Sequence, residues 1–256
     1  MKRVVLAIAA IALLLSCQPE KKTGKRGGGS GPADVTTVPD GAVDLGVVFH
    51  RSDGTTYNLY WAESNLSKNG LCPNPEDYGD YYAWGETEPK NHYSWITYKW
   101  CEDINYNLTR YCPASAATLW GGTGAPDNKT EFSDYNYADD AARANVRLGG
   151  KWRMPTDAEW TELRNSCTWT WKTDYNGSGI NGILVTSSNG NSIFLPAGGY
   201  LEDGELLNAG TRGDYWSSSL STGSPKNAWY AYFNSGGVYR GGSGRYYGRL
   251  VRPVTE

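Results

Sequence analysis

The sequence predicts a loop-rich α+β domain built from two helices and short antiparallel strands. Three observations carry that expectation. Eleven Trp and nineteen Tyr stand beside only four Phe and two Met, together with thirty-two Gly, which suits large aromatics packed among many turns. Short apolar runs alternate with period two or flank small polar reversals, the pattern of hairpins. Two windows read as helices from their end signals.

Ahead of the domain, Lys2-Arg3 is followed by twelve apolar residues from Val4 to Leu15 and then by Ser16-Cys17. Twelve fall short of the roughly 20 residues that span a bilayer as a helix, and the order of charged, apolar and small segments is that of an export signal. Leu14-Leu15-Ser16-Cys17 resembles the lipobox of bacterial lipoproteins, which implies cleavage before Cys17 and a diacylglycerol on its thiol. Residues 18–42 read as a flexible tether. Their first part, through Asp34, holds Lys21-Lys22, Lys25-Arg26 and Gly27-Gly28-Gly29-Ser30-Gly31 and no large apolar residue. A flexible coil of about seventeen residues reaches ~20–25 Å end to end. Gln18 after the lipidated cysteine does not match an inner-membrane retention signal, so an outer-membrane lipoprotein at the cell surface is expected.

Residues 43–256 read as one domain, because no Pro/Gly-rich break separates two cores. Six basic and two acidic residues precede Val35, so eighteen basic and twenty-five acidic residues remain of totals of 24 and 27. That balance lacks a basic footprint and excludes nucleic acid as the expected partner. Cys72, Cys101, Cys112 and Cys167 are an even set in an exported chain, which predicts two disulfides. Three connectivities are open; Cys101 with Cys112 is the local choice and leaves Cys72 with Cys167.

Along the domain, residues 43–49 and 57–62 read as a hairpin about Ser52-Asp53-Gly54. Residues 71–130 lack steady periodicity and predict long packed loops. The first helix is expected over residues 138–148, with Asp139-Asp140 at its N-terminal end and Gly149-Gly150 as its stop. The second begins after Pro155, where Thr156 and Glu159 have capping-box spacing and Trp160 and Leu163 face the core. Thr168-Trp169-Thr170-Trp171-Lys172 alternates, and Ile183-Leu184-Val185 and Ile193-Phe194-Leu195 flank Asn189-Gly190, a strong hairpin signal. Over residues 228–234 the alternation assigns Trp229, Ala231 and Phe233 to the core and Tyr230, Tyr232 and Asn234 to an available face.

Catalytic and metal chemistry has few carriers. His50 and His92 are the only histidines, too few for a His-based metal site or a Ser-His-Asp triad. Glu76-Asp77, Asp80 and Asp139-Asp140 lack the spacing of a calcium loop, and Gly149-Gly150-Lys151 lacks that of a phosphate loop. No catalytic residue, metal or cofactor is expected.

The run Gly150-Lys151-Trp152-Arg153-Met154-Pro155-Thr156-Asp157-Ala158-Glu159-Trp160 resembles the signature of formylglycine-generating-enzyme-like domains, which have a C-type-lectin-like fold. Tyr78-Gly79-Asp80-Tyr81-Tyr82-Ala83-Trp84-Gly85-Glu86, Gly213-Asp214-Tyr215-Trp216-Ser217-Ser218-Ser219 and Val251-Arg252-Pro253-Val254 bring the resemblance closer to the Fibrobacter succinogenes major paralogous domain family. It covers residues 43–254. Members carry Trp-Ala-x-Cys-Asn in the first segment, whereas Trp61-Ala62-Glu63-Ser64-Asn65 lacks that cysteine. The enzyme of the superfamily uses cysteines near the C-terminus; none follows Cys167 here, so the resemblance does not imply that activity. Nor are the Glu-Pro-Asn or Gln-Pro-Asp triplets of calcium-dependent lectins present.

Of the thirty-five residues from Asp214 to Gly248, six are Tyr, seven Ser, seven Gly and two Asn. Tyr offers large contact area with few rotors to freeze, and Ser, Gly and Asn offer adaptable hydrogen bonding, which is the composition of a paratope. The segment also resembles the variable region of proteins diversified by retroelements; that resemblance implies that Trp216, Lys226 and Trp229 belong to a fixed scaffold. The expected ligand-binding residues are Tyr215, Ser221, Ser224, Asn227, Tyr230, Tyr232, Tyr239, Arg240, Ser243, Tyr246 and Tyr247. They define a monomeric, membrane-tethered protein that binds an extracellular protein or glycan. The competing classes are a formylglycine-generating-type catalyst and a structural envelope lipoprotein without a dedicated ligand.

Overall fold

In the computed structural model, which describes residues 37–51, 53–102, 107–112, 138–149 and 151–256, most period-two runs become short antiparallel strands. The export segment, Cys17, most of the tether, Ser52, residues 103–106, residues 113–137 and Gly150 lie outside the described residues.

The domain opens with β1 (Ala42–Val43), β2 (Val48–His50), β3 (Thr56–Asn58) and β4 (Tyr60–Ala62). β2 and β3 form the expected hairpin with Phe49 opposite Tyr57, and Asp53 accepts from the Thr55 amide at 2.9 Å inside the turn. The continuous strand expected over 43–49 is broken. Gly46 takes φ +64° and donates its amide to the Asp44 carboxylate at 2.7 Å, so β1 pairs with β4 and the chain turns before β2. β5 (Leu66–Ser67) and β6 (Gly70–Leu71) form a second small hairpin, and irregular backbone dominates among the described residues from there to Cys112.

α1 is Ala141–Asn145, shorter than expected. Asp140 is the N-cap, accepting from the Arg143 amide at 3.1 Å, whereas Asp139 accepts from the Tyr111 hydroxyl and the Arg110 guanidinium and so anchors a loop. Val146 is already extended, which ends the helix before the glycines. α2, Asp157–Ser166, has both bonds of its capping box. Thr156 Oγ1 accepts from the Glu159 amide at 3.1 Å and Glu159 Oε2 accepts from the Thr156 amide at 2.7 Å. Trp160 and Leu163 are buried, and Trp160 packs 4.7 Å from Trp61.

β7 (Thr168–Lys172), β8 (Gly182–Thr186) and β9 (Ser192–Pro196) make an antiparallel meander. Its second turn is closed by Gly190, at φ +90°, donating to the Ser187 carbonyl at 3.1 Å, which is why Asn-Gly reads correctly there. β10 (Tyr200–Glu202) and β11 (Glu205–Leu207) form a hairpin. β12 (Arg212–Leu220), β13 (Asn227–Asn234) and β14 (Gly237–Gly244) form an antiparallel sheet in that order, and β15 (Val254–Thr255) returns to pair with β4. The described residues thus carry mostly antiparallel strands in small sheets and two α-helices, with abundant loop: an α+β arrangement.

Two hydrophobic cores lie against opposite faces of the β12–β13–β14 sheet. Tyr215, Ala231 and Phe233 join one, with Trp61, Trp160 and Leu163. Trp216, Leu220, Ala228 and Tyr230 join the other, with Trp84, Tyr111, Trp152 and Met154. Buried arginines tie separate stretches of backbone together: Arg252 donates to the Ala62 and Phe194 carbonyls of β4 and β9, and Arg245 to those of Arg110 and Tyr111. Such bonds satisfy buried carbonyls.

The expectation of two disulfides is corrected by the structure, in which no disulfide joins Cys72, Cys101, Cys112 and Cys167. Cys72 is buried, its amide donating to the Asn65 carbonyl and its sulfur close against Gly79, whereas Cys167 caps the end of α2 and packs against the core of Trp61 and Trp160. An even count says nothing about whether two Cβ vectors converge, and a disulfide requires that.

Candidate ligand-binding face

β13 is not one-sided. Its buried face changes along its length, Ala228 and Tyr230 packing into one core and Ala231 and Phe233 into the other, so a single phase of alternation misplaces two of its aromatics. Tyr230 was expected to be available but is buried beside Trp216. The Arg249 guanidinium lies 3.9 Å from its ring centre and Arg212 Nη2 donates to its hydroxyl at 3.1 Å. Its ring lies over Gly241, where any Cβ would come within 2.5 Å of it. Trp229, expected in the core, is half-buried, and Arg240 covers its indole at 3.4 Å.

The other expected residues divide by position. Tyr215 is fully buried, donating its hydroxyl to the Pro196 carbonyl at 2.9 Å, which removes it from any surface. Ser221 is buried at the end of β12, and Ser224 and Asn227 are half-buried in the turn that follows, where the Asn227 amide donates to the Ser224 carbonyl at 2.7 Å. Ser243 is half-buried opposite Ala228. Arg240 is exposed but on the opposite face of β14 from Tyr239, its Nε donating to both Asp157 carboxylate oxygens at 2.7 and 2.9 Å. Cys17 lies outside the described residues.

Tyr232, Tyr239, Tyr246 and Tyr247 remain, and the structure brings them into one file with three residues that the sequence reading did not select. Tyr239 stacks on Tyr232 with centroids 5.1 Å apart. Arg212 lies 4.3 Å over Tyr232 and 5.9 Å from Tyr200. Tyr200 meets Tyr247 edge-on at 5.6 Å, Tyr247 stacks on Tyr246 at 4.2 Å, and Tyr246 packs 5.0 Å from Trp95. Tyr239 is 41% exposed and Ile96, beside Trp95, is 76% exposed; the six other members of the file are half-buried. Cross-strand pairing sets the first contact, since Tyr232 and Tyr239 are direct partners on β13 and β14. Gly244 leaves room for the other end, because a Cβ there would come within 2.7 Å of Tyr246.

Charge under the file is concentrated on Asp214, which is fully buried between Arg212 at 2.8 Å and Arg249 at 3.6 Å. Burial raises its carboxyl pKa while the two arginines oppose that rise. Burial also disfavours the charge on Arg249, which Asp214 and the Tyr230 phenol favour. The Tyr246 phenol is pushed up by burial and then by Tyr247 and Glu202, whose carboxylate accepts from its hydroxyl at 3.1 Å; the ring therefore stays a neutral donor. The face offers aromatic planes, phenol donors and acceptors, and one half-buried guanidinium, which suits recognition of a protein or glycan surface. His92 sits 3.7 Å from Asp203 at an exposed position. Among the described residues no three His, Cys, Asp or Glu side chains converge as a metal site, and no helix is long and apolar enough to cross a membrane.

Arg212 carried a readable signal, since it continues the alternation of Asp214 and Trp216 along β12. Tyr200 and Trp95 carried none. They come from segments outside residues 214–248, and pairing between Leu201 and Gly248 brings the first beside Tyr247. No family model matches the chain, and neither a curated protein nor a solved structure does.

Proposed function

We propose that the chain is a lipid-anchored extracytoplasmic binding protein of C-type-lectin-like architecture, related to the major paralogous domain family. In this reading it is a monomer without catalytic role or cofactor, held at the outer membrane through Cys17 and facing the cell exterior. Its ligand is a protein or a glycan, taken by the face running from Tyr239 to Trp95. The observation that carries the reading is that file of ring and guanidinium contacts, assembled from six separate stretches of chain. Aromatic rings clustered at a surface are costly to leave wet, and such patches mark interaction sites. The packing of Gly244 against the Tyr246 ring gives it a second support: the glycine leaves the room that this ring occupies. The lipoprotein part rests on the sequence from Lys2 to Cys17.

The test is a paired comparison on a glycan array and against solubilised surface proteins of the producing cell. The wild-type chain and a variant with Tyr232, Tyr239 and Tyr247 changed to Ala are probed side by side. Ligands retained by the first and lost by the second support the face; equal retention refutes it.

A further inference from the structure

The geometry points to a second ligand site, a cavity between the β2–β3 hairpin and the start of α2 that takes a small oxyanion, a phosphate or carboxylate group. It shares no residue with the aromatic face and does not depend on the reading of that face. Its volume is about 330 Å3, within the roughly 300–1,000 Å3 of small-molecule sites. Four cationic side chains, Arg51, Arg143, Lys151 and Arg153, line it together with two carboxylates, Glu159 and Glu256.

The two carboxylates differ in kind. Glu159 belongs to the wall: it is buried and accepts from Arg153 at 2.8 and 2.6 Å, from the Tyr57 hydroxyl at 2.6 Å and from the Thr156 amide at 2.7 Å. Glu256 behaves as an occupant. Its side chain is 30% exposed, and one oxygen accepts from Arg51 Nη2 at 2.6 Å while the other accepts from Arg153 Nη2 at 2.9 Å. That is how two guanidiniums hold an oxyanion. The protein thus supplies an internal carboxylate that shows what the wall accepts and that competes with any external one.

The wall is held in place for this task. Arg153 is fixed through Glu159, and Arg51 lies 4.2 Å over the Tyr57 ring, which holds its plane and leaves the edge of its fork to an acceptor. The Lys151 side chain is exposed at the rim and has no carboxylate partner among the described residues, so it is available to a ligand larger than the Glu256 carboxylate. An external oxyanion would displace Glu256 from Arg51 and Arg153 and gain Lys151.

The experiment is calorimetric titration of the full chain with inorganic phosphate and, in a separate arm, with citrate, at constant ionic strength set by chloride. Saturable binding is expected in at least one arm, and which arm binds assigns the anion class. Removing the internal competitor with Glu256→Gln should tighten it, and Arg51→Ala and Lys151→Ala should each weaken it, by about two- to fivefold as for partly exposed charge pairs. Arg51 is 43% exposed along its side chain and Lys151 is exposed, so melting temperatures should not move. The proposal is overturned if neither anion binds saturably to wild type or to Glu256→Gln, or if binding is indifferent to Arg51→Ala and Lys151→Ala.

Discussion

Arg249 and Tyr230 lie face to face beneath the C-terminal sheet, the guanidinium carbon 3.9 Å from the ring centre. That contact decides which tyrosines of β13 can meet a ligand. It covers the ring from below, while Gly241 on β14 lets the phenol lie flat against the strand. Tyr230 is therefore part of the support, and Tyr232, two residues on, is the first of the file to reach the surface.

Tyr230→Ala should consequently destabilise the fold by about 3–5 kcal/mol, as for an emptied aromatic core position. Tyr239→Ala, which removes an exposed ring and one stacked pair, should cost no more than about 0.5–1.5 kcal/mol. Chemical denaturation of the two variants measures both. Equal losses would mean that Tyr230 is not the support described.

The start of α2 gives a second comparison. Thr156→Ala removes one capping bond and should cost about 1 kcal/mol, whereas Trp160→Ala empties the contact with Trp61 and should cost about 3–5 kcal/mol. Thermal melts that reverse this order would contradict the packing of α2.

Acid stability should depend on Glu159. Burial acts to raise its carboxyl pKa, but hydrogen bonds and charge from Arg153, with help from Tyr57 and Thr156, outweigh burial and hold it below its ordinary value of 4.5. A depressed carboxylate contributes stability in full above its unfolded value and loses it as pH falls through the folded one. Asp140 and Asp214, raised chiefly by burial, act in the opposite sense. The quantity to measure is therefore the difference in melting temperature between wild type and Glu159→Gln, which should be largest near neutrality and shrink below pH 4.5. A difference that stays constant into acid would remove Glu159 from the acid response.

Lipid attachment should require Cys17. In a lipoprotein-processing host fed labelled palmitate, the wild-type chain should take up label and fractionate with membranes, and Cys17→Ser should do neither. Label in both chains, or in neither, would contradict the anchor.

What the sequence made legible was local. The capping box at Thr156 and Glu159 is a matter of four consecutive residues, and the Asn189-Gly190 reversal needs only the left-handed backbone that Gly190 adopts. Both were readable for that reason. Burial of Tyr230 was not, because it depends on Arg249 and on a second core behind the sheet, and period-two alternation is informative only where one face meets water. Cysteine parity misled for a related reason: it counts thiols without locating them. Four tyrosines of the face were visible in composition, yet their continuity runs through Arg212, Tyr200 and Trp95, and two of those are contributed by distant chain.

The most direct test of the central claim is the dissociation constant of the strongest array or surface-protein ligand for wild type and for the Tyr232, Tyr239 and Tyr247 triple-Ala variant, with melting followed in parallel. One anchor at a true hot spot costs about 2 kcal/mol or more, so affinity should fall at least about thirtyfold with a single such anchor among the three, while the variant still melts cooperatively. Unchanged affinity in a folded triple variant would contradict the account.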